Sequence, residues 1–115
     1  MEVHRLLGQG FTEPVYQEGF ERMLQKKDIP YEREKQLPVY MGDVKLDIYF
    51  KPDFVCYNQV IVELKAVKEI LPEHEAQLIN YLKASGLQVG ILLNFGEESL
   101  KVVRRYFSHH HMIKE

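Results

Sequence analysis

Glu63 and Lys65 stand two residues apart in the run Val60-Ile61-Val62-Glu63-Leu64-Lys65-Ala66-Val67, and Asp53 lies a short way upstream. Burying an ionised group without a partner costs several kcal/mol or more, so charges in a run this apolar and β-branched require compensation. If Tyr57-Asn58-Gln59 is a three-residue hairpin loop, Cys56 pairs with Val60 and Asp53 falls opposite Glu63. Alternation of side chains adds Lys65 to the same sheet face. Like charges directly opposite one another destabilise a strand pair. A divalent cation removes that conflict, since hard cations such as Mg²⁺ choose one or two carboxylates together with waters and phosphate oxygens. A metal there can supply or orient hydroxide, and a nearby ammonium can stabilise charge growing on phosphorus. The chemistry is phosphodiester hydrolysis. The plainer alternative is a solvated face on which Lys65 pairs with Glu63 or Asp53.

These residues need a sheet to hold them. Val60 to Val67 lacks alternation, as expected of a central strand covered on both faces. In Val44-Lys45-Leu46-Asp47-Ile48-Tyr49-Phe50 the apolar residues alternate with polar ones, which predicts a half-buried strand continuing through Pro52 to Cys56. Tyr31 to Tyr40 predicts a further strand, with Met41-Gly42-Asp43 as the turn. Glu2–Leu7 reads as a short helix ended by Gly8-Gln9-Gly10. A longer helix follows, with Thr12 as N-cap and Pro14 in the first turn, and Val15, Tyr16, Phe20, Met23 and Leu24 at helical spacing up to Lys27. Another spans about Glu73 to Ala84 and stops at Ser85-Gly86. Val89 to Phe95 is a buried strand, and Leu100 to Phe107 fits strand or helix. The order is α/β with a mixed sheet.

At 115 residues the chain suits a single domain, expected over 1–108, with 109–115 as a flexible tail. A formal charge of −2 gives no global basic footprint, so any polyanion must bind locally. The lone Cys56 suits a reducing compartment. No leader or membrane-length apolar run is visible, so the chain is expected to be cytoplasmic. His109-His110-His111 does not have the geometry of a metal site, because adjacent histidines point apart. Lys101, Arg104 and Arg105 form a basic cluster that suits phosphates or a solvated face equally.

Pro52-Asp53 followed by Glu63-Leu64-Lys65 across a hairpin resembles the signature of the PD-(D/E)XK nuclease superfamily. Gly10-Phe11-Thr12-Glu13-Pro14-Val15-Tyr16 has the spacing of the GxxExxY protein family, and the similarity extends through VIVELKAV, His74-Glu75-Ala76-Gln77-Leu78 and Leu93-Asn94-Phe95-Gly96. The resemblance implies a restriction-endonuclease-like α-β-β-β-α-β core, its central mixed sheet flanked by helices and its site between the first helix and the hairpin. It also implies that Asp53 and Glu63 bind Mg²⁺ or Mn²⁺, that Glu13 adds an acidic ligand from the helix, and that Lys65 positions water or stabilises the transition state. Gln77 and Tyr81 match the Gln-x-x-x-Tyr motif of an exonuclease-like branch.

The same residues have simpler readings. Glu13 at a helix start is favoured by the helix dipole alone. Gln77 and Tyr81 fit the polar edge of an amphipathic helix whose Leu78 and Leu82 pack inward. Tyr16 fits the core, and His74 fits a satisfied surface position. The function expected first is a metal-dependent nuclease acting on DNA, or on RNA. The alternative is a catalytically silent nuclease-fold module for assembly with a protein or nucleic-acid partner, and either allows a homodimer.

Overall fold

Tyr57 and Asn58 both adopt left-handed backbone angles, with φ of 55° each, and the Gln59 N–H donates to the Cys56 carbonyl at 3.0 Å. Two left-handed central residues characterise the tight hairpin turns whose twist matches that of the flanking strands. Gln59 also belongs to the loop, so Cys56 is set opposite Val60, Val55 opposite Ile61 and Phe54 opposite Val62, the register expected from the sequence.

A computed structural model describes residues 1–109. The elements run α1 (Glu2–Leu7), α2 (Glu13–Lys26), β1 (Tyr31–Arg33), β2 (Leu37–Met41), β3 (Val44–Phe50), β4 (Phe54–Cys56), β5 (Val60–Lys65), α3 (Pro72–Ser85), β6 (Val89–Asn94) and β7 (Lys101–Tyr106). Five strands form one sheet in the order β1-β4-β5-β6-β7. Among the described residues only β5 and β6 pair in parallel, so the sheet is mixed. The segment left open between strand and helix, Leu100 to Phe107, is an edge strand.

Each face of the sheet carries helices. On one, Tyr16, Phe20 and Leu24 of α2 pack with Phe54, Val62, Leu64, Leu93 and Phe95. On the other, Leu78 and Leu82 of α3 meet Val55, Ile61, Leu92 and Val103. Each fully buried leucine or phenylalanine contributes roughly 1.5–3 kcal/mol. β5 is central, as its unbroken apolar run requires.

Two expected strands are each broken in the middle. The strand expected to run from Val44 through Cys56 stops at Phe50 and resumes at Phe54, and Tyr31 to Tyr40 divides into β1 and β2. Pro52 has no N–H for a ladder, and Glu34 takes a left-handed φ of 53°. The two halves nevertheless belong to one bent ribbon. Arg33 faces Phe54, the Glu34 N–H donates to the Asp53 carbonyl at 3.0 Å, and Leu37 faces Phe50. Beyond the bend, β2 and β3 form a separate two-stranded arm.

The apolar face expected on β3 is consequently only half covered. Phe50 stacks on Tyr81 of α3, with centroids 4.1 Å apart and planes at 11°. Val44 and Ile48, farther along the arm, are more than half exposed. Alternation marks a strand with two unlike faces; it does not guarantee a neighbour for the apolar one.

His109 is docked, its Nε2 lying 2.7 Å from the Leu87 carbonyl and its ring against Phe107. The rest of the expected tail, including His110 and His111, lies outside the described residues.

Candidate active site

The β4–β5 ladder ends at the Phe54–Val62 pair, and one step beyond it are Asp53 and Glu63. Backbone donors that no longer serve the sheet bind the two carboxylates instead. The Asp53 N–H donates to Glu63 Oε1 at 3.1 Å, and the Leu64 N–H donates to Asp53 Oδ2 at 2.7 Å. Glu63 and Lys65 alternate with the buried Val62 and Leu64 and so point to the α3 side of the sheet.

The two acids perturb each other strongly. Burial, followed by the Asp53 charge, pushes the Glu63 carboxyl up to about 8, against partial relief from the Asp53 N–H and Lys65. Burial also raises Asp53, while the Leu64 N–H, Lys65 and Gln17 hold it down. Burial raises the proton affinity of both acids, and the negative charge of Asp53 adds to the rise at Glu63. Among the described residues Lys65 forms no ion pair with either acid. Its charge acts on both without being consumed by one.

Tyr81 borders the pair from α3. Burial first, then the Glu63 and Asp53 charges, raise its phenol. Gln77, one turn earlier, is exposed and makes no hydrogen bond to the acids among the described residues. His74 accepts the Leu71 N–H at 2.9 Å through Nδ1, so it caps the start of α3. The basic cluster is divided, with Arg105 paired to Glu75 and Lys101 and Arg104 exposed.

On the α2 side, Tyr16 is fully buried and stacks on Phe95 at 4.6 Å, and its hydroxyl donates to the Gly8 carbonyl at 2.5 Å. It belongs to the core and fixes the turn that starts the helix. Glu13 lies half-buried in the first turn, and no hydrogen bond joins it to Asp53 or Glu63 among the described residues. The α2 residue that does reach the site is Gln17, whose Nε2 donates to Asp53 Oδ1 at 2.9 Å. Sequence reasoning passed over Gln17, although it lies four residues after Glu13 on the same helical face. It named Asn94 within the Leu93-Asn94-Phe95-Gly96 similarity without a role; the side chain is fully buried and engaged with Val67, just past Lys65.

Two adjacent carboxylates of raised proton affinity form a hard oxygen donor set that fits Mg²⁺ or Mn²⁺, which retain waters and accept further oxygens from a substrate phosphate. Among the described residues no three His, Cys, Asp or Glu side chains converge; the candidate donors brought together are Asp53 and Glu63.

A family model described as the PD-(D/E)XK nuclease superfamily matches residues 1–106. No curated protein sequence matches the chain. Among solved structures, SSO0001 superposes with a TM-score of 0.65 at 18% identity, covering 88% of this chain and 54% of that one. An alkaline exonuclease (LHK-Exo) from Laribacter hongkongensis superposes with a TM-score of 0.57 at 9% identity, covering 83% and 56%. The chain spans about half the length of these structures. Their likeness shows the fold, a restriction-endonuclease-like core.

Proposed function

The chain belongs to the PD-(D/E)XK nuclease superfamily, and we propose that it is a metal-dependent nuclease that cleaves phosphodiester bonds of DNA, or of RNA, with water. The observation that carries this reading is the convergence of Asp53 and Glu63 where the sheet ladder stops, with the Lys65 ammonium, in no ion pair among the described residues, beside them. The exonuclease name of one structural neighbour supports nucleic acid as the substrate class.

Asp53 and Glu63 would hold Mg²⁺ or Mn²⁺. When bound, such an ion supplies Lewis-acid polarisation and a lowered pKa for water. Lys65 stabilises negative charge on the phosphoryl oxygens, or orients the attacking water, from a position where neither acid neutralises it. Tyr81 would border the substrate, with Gln77 one turn earlier on the same helix, and Glu13 would contribute its carboxylate from the first turn of α2. Hydrolysis forms one P–O bond to water and breaks one to the leaving sugar oxygen, with no covalent protein intermediate. The Gly10, Glu13 and Tyr16 spacing supports placement in the GxxExxY family; we further propose 1–108 as the folding unit and, from the lone Cys56, a reducing cytoplasm as the location.

One observation favours a second reading, a catalytically silent module that binds a protein or nucleic-acid partner. Among the described residues no third acidic, His or Cys side chain completes the metal set. The discriminating experiment is cleavage of labelled single- and double-stranded DNA and RNA with Mg²⁺ or Mn²⁺ by wild type, Asp53→Ala and Lys65→Ala. Activity in wild type and its loss in both variants supports the nuclease. Inactivity of all three, with a stoichiometric partner recovered, supports the module.

A further inference from the structure

We infer that Gln17 is a positioning residue that holds the Asp53 carboxylate in the orientation needed to share a divalent cation with Glu63; this rests on the metal-dependent reading above. Asp53 Oδ2 is tied to β5 by the Leu64 N–H at 2.7 Å. With that bond alone the carboxylate plane pivots about Oδ2, because the terminal torsion of an aspartate is broad. The Gln17 amide occupies the other oxygen at 2.9 Å, and two donors on two oxygens fix the plane.

A carboxylate offers about four lone-pair positions. The two bonds use two of them, leaving one on each oxygen for a cation. Glu63 is held separately, through the Asp53 N–H on Oε1.

The choice of an amide matters. A lysine or arginine at position 17 would form an ion pair with Asp53 and cancel the charge that attracts a cation. A carboxylate there would add a third negative charge to a pair already in conflict. A neutral donor orients Asp53 and favours its ionised form without cancelling its charge. Gln17 also links the site to α2, whose Tyr16, Phe20 and Leu24 are anchored in the core, so the orientation is set by a rigid element.

The test is titration of purified protein with Mn²⁺ by calorimetry, using wild type, Asp53→Ala and Gln17→Met, which keeps the shape of glutamine and loses its donor. Removing an outer hydrogen-bond partner of a metal ligand weakens metal binding by about 10–100-fold. A shift of that size in Gln17→Met, with an unchanged melting temperature without metal and cleavage largely restored at saturating Mn²⁺, supports the inference. Gln17→Ala, which also lacks the donor, serves if the methionine disturbs folding and is expected to shift affinity in the same direction. Wild-type Mn²⁺ affinity in the donor-less variants overturns the inference and leaves the nuclease reading intact. Absence of Asp53-dependent Mn²⁺ binding in wild type overturns both.

Discussion

Asn94 and Val67 exchange a pair of hydrogen bonds. Asn94 Oδ1 accepts the Val67 N–H at 3.0 Å, and its Nδ2 donates to the Val67 carbonyl at 2.9 Å. The same oxygen accepts the Gly96 N–H at 3.1 Å, and the same amide group donates to Glu97 Oε2 at 2.7 Å. One fully buried side chain therefore fixes the segment leaving β5 two residues after Lys65, and with it the direction in which that lysine is delivered. Replacing Asn94 by leucine strands the Val67 N–H and carbonyl and the Gly96 N–H. Urea denaturation should show a loss of about 3 kcal/mol.

Gly96 is bound to the same arrangement. A Cβ added there would collide with the Val67 backbone, which cannot move without breaking its bonds to Asn94. Gly96→Ala is expected to destabilise by about 2–4 kcal/mol, measured by the same denaturation. Retention of wild-type stability would show that the Val67 segment yields.

The carboxylate pair makes stability depend on pH. Glu63 titrates near 8 in the folded protein against an ordinary value of 4.5, so between those values the folded state holds a proton that the unfolded state has released. Stability of the metal-free protein should fall as pH rises from about 4.5 to about 8. Glu63→Gln removes the carboxyl and should flatten the fall, leaving the variant about 2 kcal/mol more stable than wild type at pH 8.5. Thermal melts across pH without metal read this directly, and added Mg²⁺ should raise only the wild-type curve at the alkaline end.

Asp53 and Lys65 should fail in different ways. Asp53→Asn removes a ligand charge and is expected to lower both Mn²⁺ affinity and cleavage by about 10²-fold or more. It should also bring the Glu63 titration down, since the Asp53 charge helps hold it up, visible by carbon-13 NMR of the Glu63 carboxyl. Lys65→Ala should leave Mn²⁺ affinity within a few-fold while cleavage falls by about 10²–10³-fold.

The arm is joined to α3 by Leu37, buried in one cluster with Leu78 and Leu82, and by the stack of Phe50 on Tyr81. Phe50→Ala should cost about 2 kcal/mol. Amide exchange should quicken first across Leu37–Met41 and Val44–Phe50, before the five-stranded sheet responds.

The hairpin was legible in the sequence because its logic is local. A three-residue loop and strict alternation bring Asp53, Glu63 and Lys65 to one patch, without knowledge of anything packed around them. The arm was not legible, because Val44 and Ile48 alternate with polar residues in the same way as residues that do find cover. What differs is the departure of the ribbon from the sheet near Pro52, a matter of three-dimensional path. Gln17 was missed for a related reason. Its partner is distant in sequence, and only the seating of α2 at the end of β4 brings the two together. Glu13, favoured by motif spacing, proves to be the residue one turn earlier, with no bond to the acids among the described residues.

The carboxylates are held by main-chain groups that the sheet no longer uses, one from Asp53 itself and one from Leu64. The site and perfect regularity of the sheet are thus competitors for the same donors. A variant that repaired the bend and extended the β4–β5 ladder by a single pair would gain sheet and lose its acid cradle. Substitutions that straighten residues 51–53, selected for rigidity alone, would therefore erase function while every side chain of the site remained in the sequence.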